Sequence, residues 1–299
     1  MYKGLMPALL TPFTPDGQVH QELLAELANE FVELGFHGLY LCGSTGEGLL
    51  LSEEERKTVV EVTLSAVEGR VPVIVHVGDT STRMAENLAR HARSCGADAV
   101  ASIPPFYYPY SKREITAYYR DLKKASDLPL YFYNIPDLLN TSLDVQLADE
   151  LFHAGIIQGM KYTHHDLLTL QGMVEACHGD LNVFSGPDEK LLPFLVMGVD
   201  GGIGTTYNSM PKLFLSLYTA WQQGDLDRAR ELQKKANRVI AIMAKFGMIP
   251  ALKAIMRMKG WECGDPRRPF QPLTREQREH LRVMLEKEGF FAMESEWDL

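Results

Sequence analysis

The chain predicts an α/β fold, a TIM-type (β/α)8 barrel with a C-terminal helical appendage. Three observations carry that expectation. Eight short, nearly continuous apolar runs alternate with eight longer stretches of helical periodicity. Runs of that kind belong to parallel strands covered on both faces by helices. The chain's 299 residues suit such a barrel, which commonly needs about 250. An open doubly wound sheet would favour Gly-x-Gly-x-x-Gly after the first strand, and Thr11-Pro12-Phe13-Thr14-Pro15 is nothing like it.

The strands fall at 5–10, 38–41, 71–77, 97–103, 128–134, 156–161, 181–185 and 201–204. Between them the apolar period switches to helical near 20–34, 52–68, 81–94, 112–126, 143–153, 165–178, 188–198 and 210–223. The second of these helices opens on Ser52-Glu53-Glu54-Glu55, a capping box with acids in the first turn. After about residue 224 the alternation stops, and 224–244, 249–258 and 275–288 read as helices. The expected organisation is therefore a barrel over 1–224 and a helical extension over 225–299 packed on it. No repeat, low-complexity segment or linker interrupts it.

A hydrophobic fraction of 45% and a charged fraction of 23% are ordinary for a globular protein. The net charge of −9 argues against nucleic acid or an anionic membrane as partner, since both require a basic face. An anionic small substrate remains compatible, because a local site can be positive. Cys42, Cys95, Cys177 and Cys263 are far apart and form neither a disulfide framework nor a zinc pattern. Each has apolar or small neighbours, so free buried thiols are expected. Residues 1–7 carry no secretory pattern, and no apolar run approaches 18 residues. The cytoplasm is the expected location.

The most informative residue is Lys161, at the end of the apolar run 155–160. An amine there is costly to desolvate, and desolvation disfavours the ammonium. A neutral amine attacks ketones to form Schiff bases. The competing reading is a lysine that snorkels to solvent or pairs with a carboxylate. Functional side chains of such barrels cluster at the carboxyl ends of the strands. Those ends offer Gly43-Ser44-Thr45-Gly46-Glu47, Pro105-Phe106-Tyr107-Tyr108-Pro109, Tyr133-Asn134-Ile135-Pro136, Ser185-Gly186-Pro187-Asp188-Glu189 and Gly204-Thr205-Thr206-Tyr207-Asn208. The Gly-Ser-Thr-Gly loop can present several backbone N–H groups and two hydroxyls to a carboxylate. Tyr133, a core tyrosine by position alone, becomes a candidate acid/base beside a Schiff-base lysine. Tyr108 and Tyr110 read as parts of a packed loop or an interface.

These motifs, with Gly159–Thr163 and 198–208, resemble in order and over essentially the whole chain the N-acetylneuraminate lyase branch of the dihydrodipicolinate synthase/N-acetylneuraminate lyase family, pyruvate-dependent class I aldolases. The resemblance implies that Lys161 forms the imine with the 2-oxo acid and that Tyr133 shuttles the proton at the carbon–carbon bond. It implies that Ser44 and Thr45 hold the carboxylate. Thr45 would also relay protons, with Tyr107 reaching in from a neighbouring subunit of a homotetramer. Thr163, Gly186, Asp188, Glu189 and Thr205 match positions that contact the polyol of a sialic acid, and Ile249 would line the distal end. No cofactor or metal is implied.

Two features favour the sialic acid branch over the synthase. The synthase pattern carries an arginine two residues after the Pro136 equivalent, where this chain has Leu138, and the lyases carry the Asp188-Glu189 pair. Carboxylates accept hydrogen bonds from a polyol and repel an acidic aldehyde. Departures from the lyase pattern are Asp137-Leu138-Leu139-Asn140, Pro187 and His164-His165. They leave open an aldolase or dehydratase acting on another 2-keto-3-deoxy sugar acid. The remaining rivals are the synthase, a metal-dependent aldolase using His164, His165 and Asp166, and a non-catalytic sugar-acid sensor. Adjacent residues point different ways, so the metal set is geometrically poor, and a sensor predicts loss of Lys161 or Tyr133.

Overall fold

The computed structural model describes residues 1–139, 141 and 143–295, without the side chain of Ser295; Asn140 lies outside the described residues. The strands are β1 (Gly4–Pro7), β2 (Leu39–Leu41), β3 (Val73–His76), β4 (Ala99–Ser102), β5 (Leu130–Asn134), β6 (Gly159–Tyr162), β7 (Asn182–Ser185) and β8 (Gly201–Gly204). All pairings are parallel, in the order β1-β8-β7-β6-β5-β4-β3-β2, and a bridge between Ala8 and Tyr40 joins β1 to β2. The eight parallel strands thus form a barrel.

Helices α1 (Gln21–Glu33), α2 (Glu53–Val67), α3 (Thr82–Ser94), α4 (Lys112–Ser126), α5 (Val145–His153), α6 (Leu167–Ala176), α7 (Leu191–Val196) and α8 (Pro211–Gln222) follow the strands. Ser52 and Ser111 cap α2 and α4 with full capping boxes. Then come α9 (Leu226–Ala244), α10 (Met248–Met258), α11 (Arg275–Lys287) and α12 (Phe290–Ser295), the last unforeseen in the sequence. No single helix among the described residues is long and apolar enough to cross a membrane.

Strand alternation sorts side chains into two cores. Ile74, Tyr131, Tyr133, Phe184 and Ile203 fill the barrel interior. Val73, Val75, Leu130, Phe132, Met160 and Tyr162 face the helices. Lys161 lies between the outward Met160 and Tyr162, so its side chain belongs to the interior. Gly159 precedes it on the same face because a Cβ there would meet the Tyr131 ring at 2.4 Å.

Strand β6 starts at Gly159, not Ile156, and runs one residue beyond Lys161. Gly155 takes the left-handed conformation after α5, and Ile156 and Ile157 donate to the Leu151 carbonyl. Those two isoleucines close a helix end rather than open a strand. Among the cysteines, Cys42, Cys177 and Cys263 are buried and free, whereas Cys95 is free but only half-buried.

Helices α9 and α10 hold the carboxyl-end loops from behind. Gln233 accepts from Leu192 N–H at 2.9 Å and donates to the Asp188 carbonyl at 3.0 Å; Asn237 donates to the Glu189 carbonyl at 3.0 Å. Lys253 of α10 makes a buried ion pair with Glu47 at 2.9 Å.

Candidate active site

Tyr133 and Lys161 are register partners on β5 and β6. Both point inward, and they are 2% and 4% exposed. The Lys161 Nζ stands 4.3 Å from the centre of the Tyr133 ring and 4.9 Å from that of Tyr40. Tyr133 meets the rings of Tyr40 and His76 edge-on, at 6.1 and 6.0 Å. The amine is therefore enclosed by aromatic surface at the barrel mouth, where neither the snorkelling nor the carboxylate-paired alternative describes it.

The loop after β2 turns sharply, with Cys42 and Glu47 in the left-handed region. Gly43 is required there, since a Cβ would approach the Tyr40 ring to 2.6 Å. Thr45 is buried and its hydroxyl lies 2.7 Å from that of Thr205 after β8, which ties the two strand ends together across the barrel. Ser44, its neighbour, is exposed.

On the β7 side, Gly186 packs against Thr163; a Cβ at 186 would fall 1.8 Å from the Thr163 hydroxyl oxygen. Asp188 is buried and accepts from the Thr206 N–H and hydroxyl, both at 2.7 Å, on one carboxylate oxygen. Its other oxygen has no partner. Burial raises its pKa to about 6, against the opposing pull of the Thr206 hydrogen bonds and the Lys161 charge. Thr163, Gly186, Asp188, Glu189 and Thr205 line one cavity of about 240 Å³. Its lining includes Asp137, Leu138, Pro187 and His165, four of the positions where the sequence departs from the lyase pattern. Ile240 and Met248 supply the helical wall, and Ile249 is not in the lining.

Seven buried side-chain atoms among the described residues lack a hydrogen-bond partner, and four belong to Tyr40, Thr163, Ser185 and Asp188. Unpaired buried polar groups are costly and rare. Tyr40 points into the barrel interior with Lys161, and Thr163 and Asp188 lie in the cavity at its mouth, so these three can offer hydrogen bonds to a polar ligand.

Tyr107 sits apart. It is 83% exposed, takes a φ of 81°, and contacts Tyr108 edge-on at 4.9 Å. A single protomer thus does not pack it against the buried lysine. The side chains of the metal-dependent alternative go three ways. His164 Nδ1 lies 3.4 Å from the Tyr162 hydroxyl, His165 faces Asp137 at 3.9 Å, and Asp166 caps α6 through Thr169. A different grouping, Glu61, His91 and Cys95, lies on α2 and α3 in the helical layer.

Sequence reasoning missed Tyr40 and His76, two polar side chains in the barrel interior beside Tyr133. The available signal was parity: His76 lies two residues from the inward Ile74. Without the barrel's closure, nothing in the strand pattern sets an interior histidine apart from a core one.

The chain is similar to known proteins over nearly its whole length. Residues 1–288 match the model of the dihydrodipicolinate synthetase family. The N-acetylneuraminate lyase of Rhizobium meliloti (strain 1021) is 40% identical over 269 residues, covering 90% of this chain and 89% of that protein. A catalytic-lysine mutant of Ruminococcus gnavus sialic acid aldolase superposes with a TM-score of 0.91 at 32% identity, over 96% of this chain and 97% of the other. The Proteus mirabilis N-acetylneuraminate lyase gives 0.91 at 29% identity, over 96% and 99%.

Proposed function

From its membership of the dihydrodipicolinate synthetase family, to which this chain belongs, we propose that it is a Schiff-base aldolase cleaving N-acetylneuraminate to N-acetylmannosamine and pyruvate. The observation that carries the reading is a buried lysine amine 4.3 Å from the Tyr133 ring, beside a cavity whose acceptors suit a polyol.

In this reading the Lys161 amine adds to the C2 ketone of the sugar acid and loses water, giving a protonated imine. The imine nitrogen draws the electron pair of the C3–C4 bond as that bond breaks. Tyr133 takes the proton of the C4 hydroxyl, which becomes the aldehyde of N-acetylmannosamine. The enamine is reprotonated at C3, and hydrolysis of the imine releases pyruvate. Ser44 and Thr45 hold the substrate carboxylate, and the 2.7 Å contact between Thr45 and Thr205 provides a hydroxyl chain for the proton. Thr163, Gly186, Glu189 and the free oxygen of Asp188 receive the polyol, with Ile249 further out. Tyr107 of a second subunit completes the site in a homotetramer, and the enzyme works in the cytoplasm. The proposed division is a barrel over 1–224 and a helical extension over 225–299, fastened by Gln233, Asn237 and Lys253.

One observation favours a second reading, an aldolase or dehydratase for a shorter 2-keto-3-deoxy sugar acid. Leu138 and Pro187, two departures from the lyase pattern, line the cavity proposed for the polyol, and neither side chain offers a hydrogen bond to the tail of a long sugar acid. A panel of sialic acids and shorter deoxy sugar acids, read by pyruvate release, separates the two. The first reading expects N-acetylneuraminate to turn over best and Asp188→Ala to weaken long substrates more than short ones. Far faster turnover of the short acids by the unmodified enzyme would overturn it.

A further inference from the structure

We infer that His76 is a positioning residue for the Schiff-base reaction, tying the carboxylate-binding loop after β2 to the loop after β4 that carries Tyr107. The inference rests on the aldolase reading and adds to it a residue that neither touches substrate nor transfers a proton.

His76 ends β3 with its side chain in the barrel interior, 3% exposed. Both ring nitrogens are committed. Nδ1 lies 3.1 Å from the Cys42 carbonyl, and Nε2 lies 3.3 Å from the Ile103 N–H. A carbonyl can only accept and an amide N–H can only donate, so the pair selects one neutral tautomer with its proton on Nδ1. Burial, reinforced by the Arg56 and Lys161 charges, keeps the imidazole neutral far below its ordinary titration. With no free lone pair and no second proton, His76 has no acid–base capacity to offer a substrate.

What it holds is significant. Cys42 is the residue before Gly43-Ser44-Thr45 and sits at φ 56°, a left-handed conformation that a residue with a Cβ adopts only when its surroundings impose it. Ile103 precedes the segment leading to Tyr107, which itself sits at φ 81°. One ring therefore braces the base of two strained loops, and its face or edge also bounds Tyr133, 6.0 Å away at 88°. The histidine's own backbone is clamped in turn: the buried Arg56 guanidinium donates to the His76 carbonyl at 2.8 Å and to the Gly78 carbonyl at 3.1 Å. Gly78 must lack a side chain because its Cβ would lie 2.8 Å from Nε2.

The two halves of the brace are separable by substitution. His76→Asn retains a donor for the Cys42 carbonyl and loses the Ile103 acceptor. His76→Gln retains an acceptor near Ile103 and loses the Cys42 donor. His76→Phe keeps ring volume and loses both. Each variant is read by borohydride trapping of pyruvate against pyruvate concentration, and by KM and kcat for the cleaved sugar acid in the intact oligomer. Misplacing a reacting group by about 1 Å costs up to about a hundredfold. The expected split is a pyruvate half-saturation raised about tenfold in His76→Gln and near parental in His76→Asn, with kcat lowered chiefly in His76→Asn. His76→Phe should show both defects. Folded Asn and Gln variants with parental constants would overturn the inference, as would an equal loss of kcat in all three with pyruvate binding unchanged. Because trapping uses pyruvate alone, failure of the sialic acid reading leaves that arm able to decide.

Discussion

Replacing Asp188 with asparagine should make the protein more stable at alkaline pH than at acid pH relative to the parent, although it alters a residue proposed to bind substrate. Burial raises the Asp188 pKa from the ordinary 3.8 to about 6. At about 1.36 kcal/mol per tenfold in proton affinity, that difference is roughly 3 kcal/mol of unfavourable free energy once the group is ionised. The native carboxyl binds its proton more tightly than the unfolded chain does, so stability falls as pH rises through the window from about 4 to 6 and stays reduced above it. Asparagine is neutral throughout, and its carbonyl can accept from the Thr206 N–H and hydroxyl that now bond one carboxylate oxygen. Asp188→Asn should therefore gain up to about 3 kcal/mol at pH 8, less about 1–3 kcal/mol for an NH2 buried where Asp188 now has an oxygen without a partner, and the gain should be about 1.5 kcal/mol smaller at pH 5. The assay is thermal unfolding of both proteins at one concentration across that pH range, where about 2 °C per kcal/mol is expected for a chain of this size. A stability difference between variant and parent that is the same at pH 5 and pH 8 would show that ionisation of the buried carboxyl costs the fold nothing.

Other outcomes follow from the same geometry. Tyr133→Phe keeps the ring that bounds Lys161 and loses the phenol, so pyruvate trapping should persist while cleavage falls by about 10²–10⁴-fold; near-parental turnover removes Tyr133 from the chemistry. Gly186→Ala sets a methyl 1.8 Å from the Thr163 hydroxyl oxygen, and should impair sugar acid cleavage far more than pyruvate imine formation, measured side by side. Lys253→Met strands Glu47, whose partner is 2.9 Å away and equally buried, so denaturant unfolding should show a loss of about 3–5 kcal/mol. Adding Glu47→Gln should recover part of that loss.

The barrel was legible because its signal is repetitive: each apolar run is short, a helical stretch follows each one, and the order never breaks before residue 224. Lys161 and Tyr133 drew attention because a charged and a phenolic side chain stand out at the ends of apolar strands, and the fold does set them side by side. Errors gather where one local pattern serves two structures. Ile156 and Ile157 are as apolar as a strand, yet they bond back to α5. Asp188 reads as a free acceptor, while its place in the fold commits one oxygen to Thr206. The helical wall of the cavity comes from Ile240 and Met248, on helices whose docking angle no periodicity encodes. His76 escaped notice because its meaning lies in two backbone groups far away in sequence.

The central claim is that Lys161 carries the reaction as an imine. Incubation with pyruvate and borohydride, followed by peptide mass analysis, tests it most directly. The account predicts a reduced pyruvyl adduct on the peptide containing Lys161, with matching loss of activity and no adduct in Lys161→Met. Active enzyme that yields no adduct on that peptide and is inhibited by EDTA would contradict it.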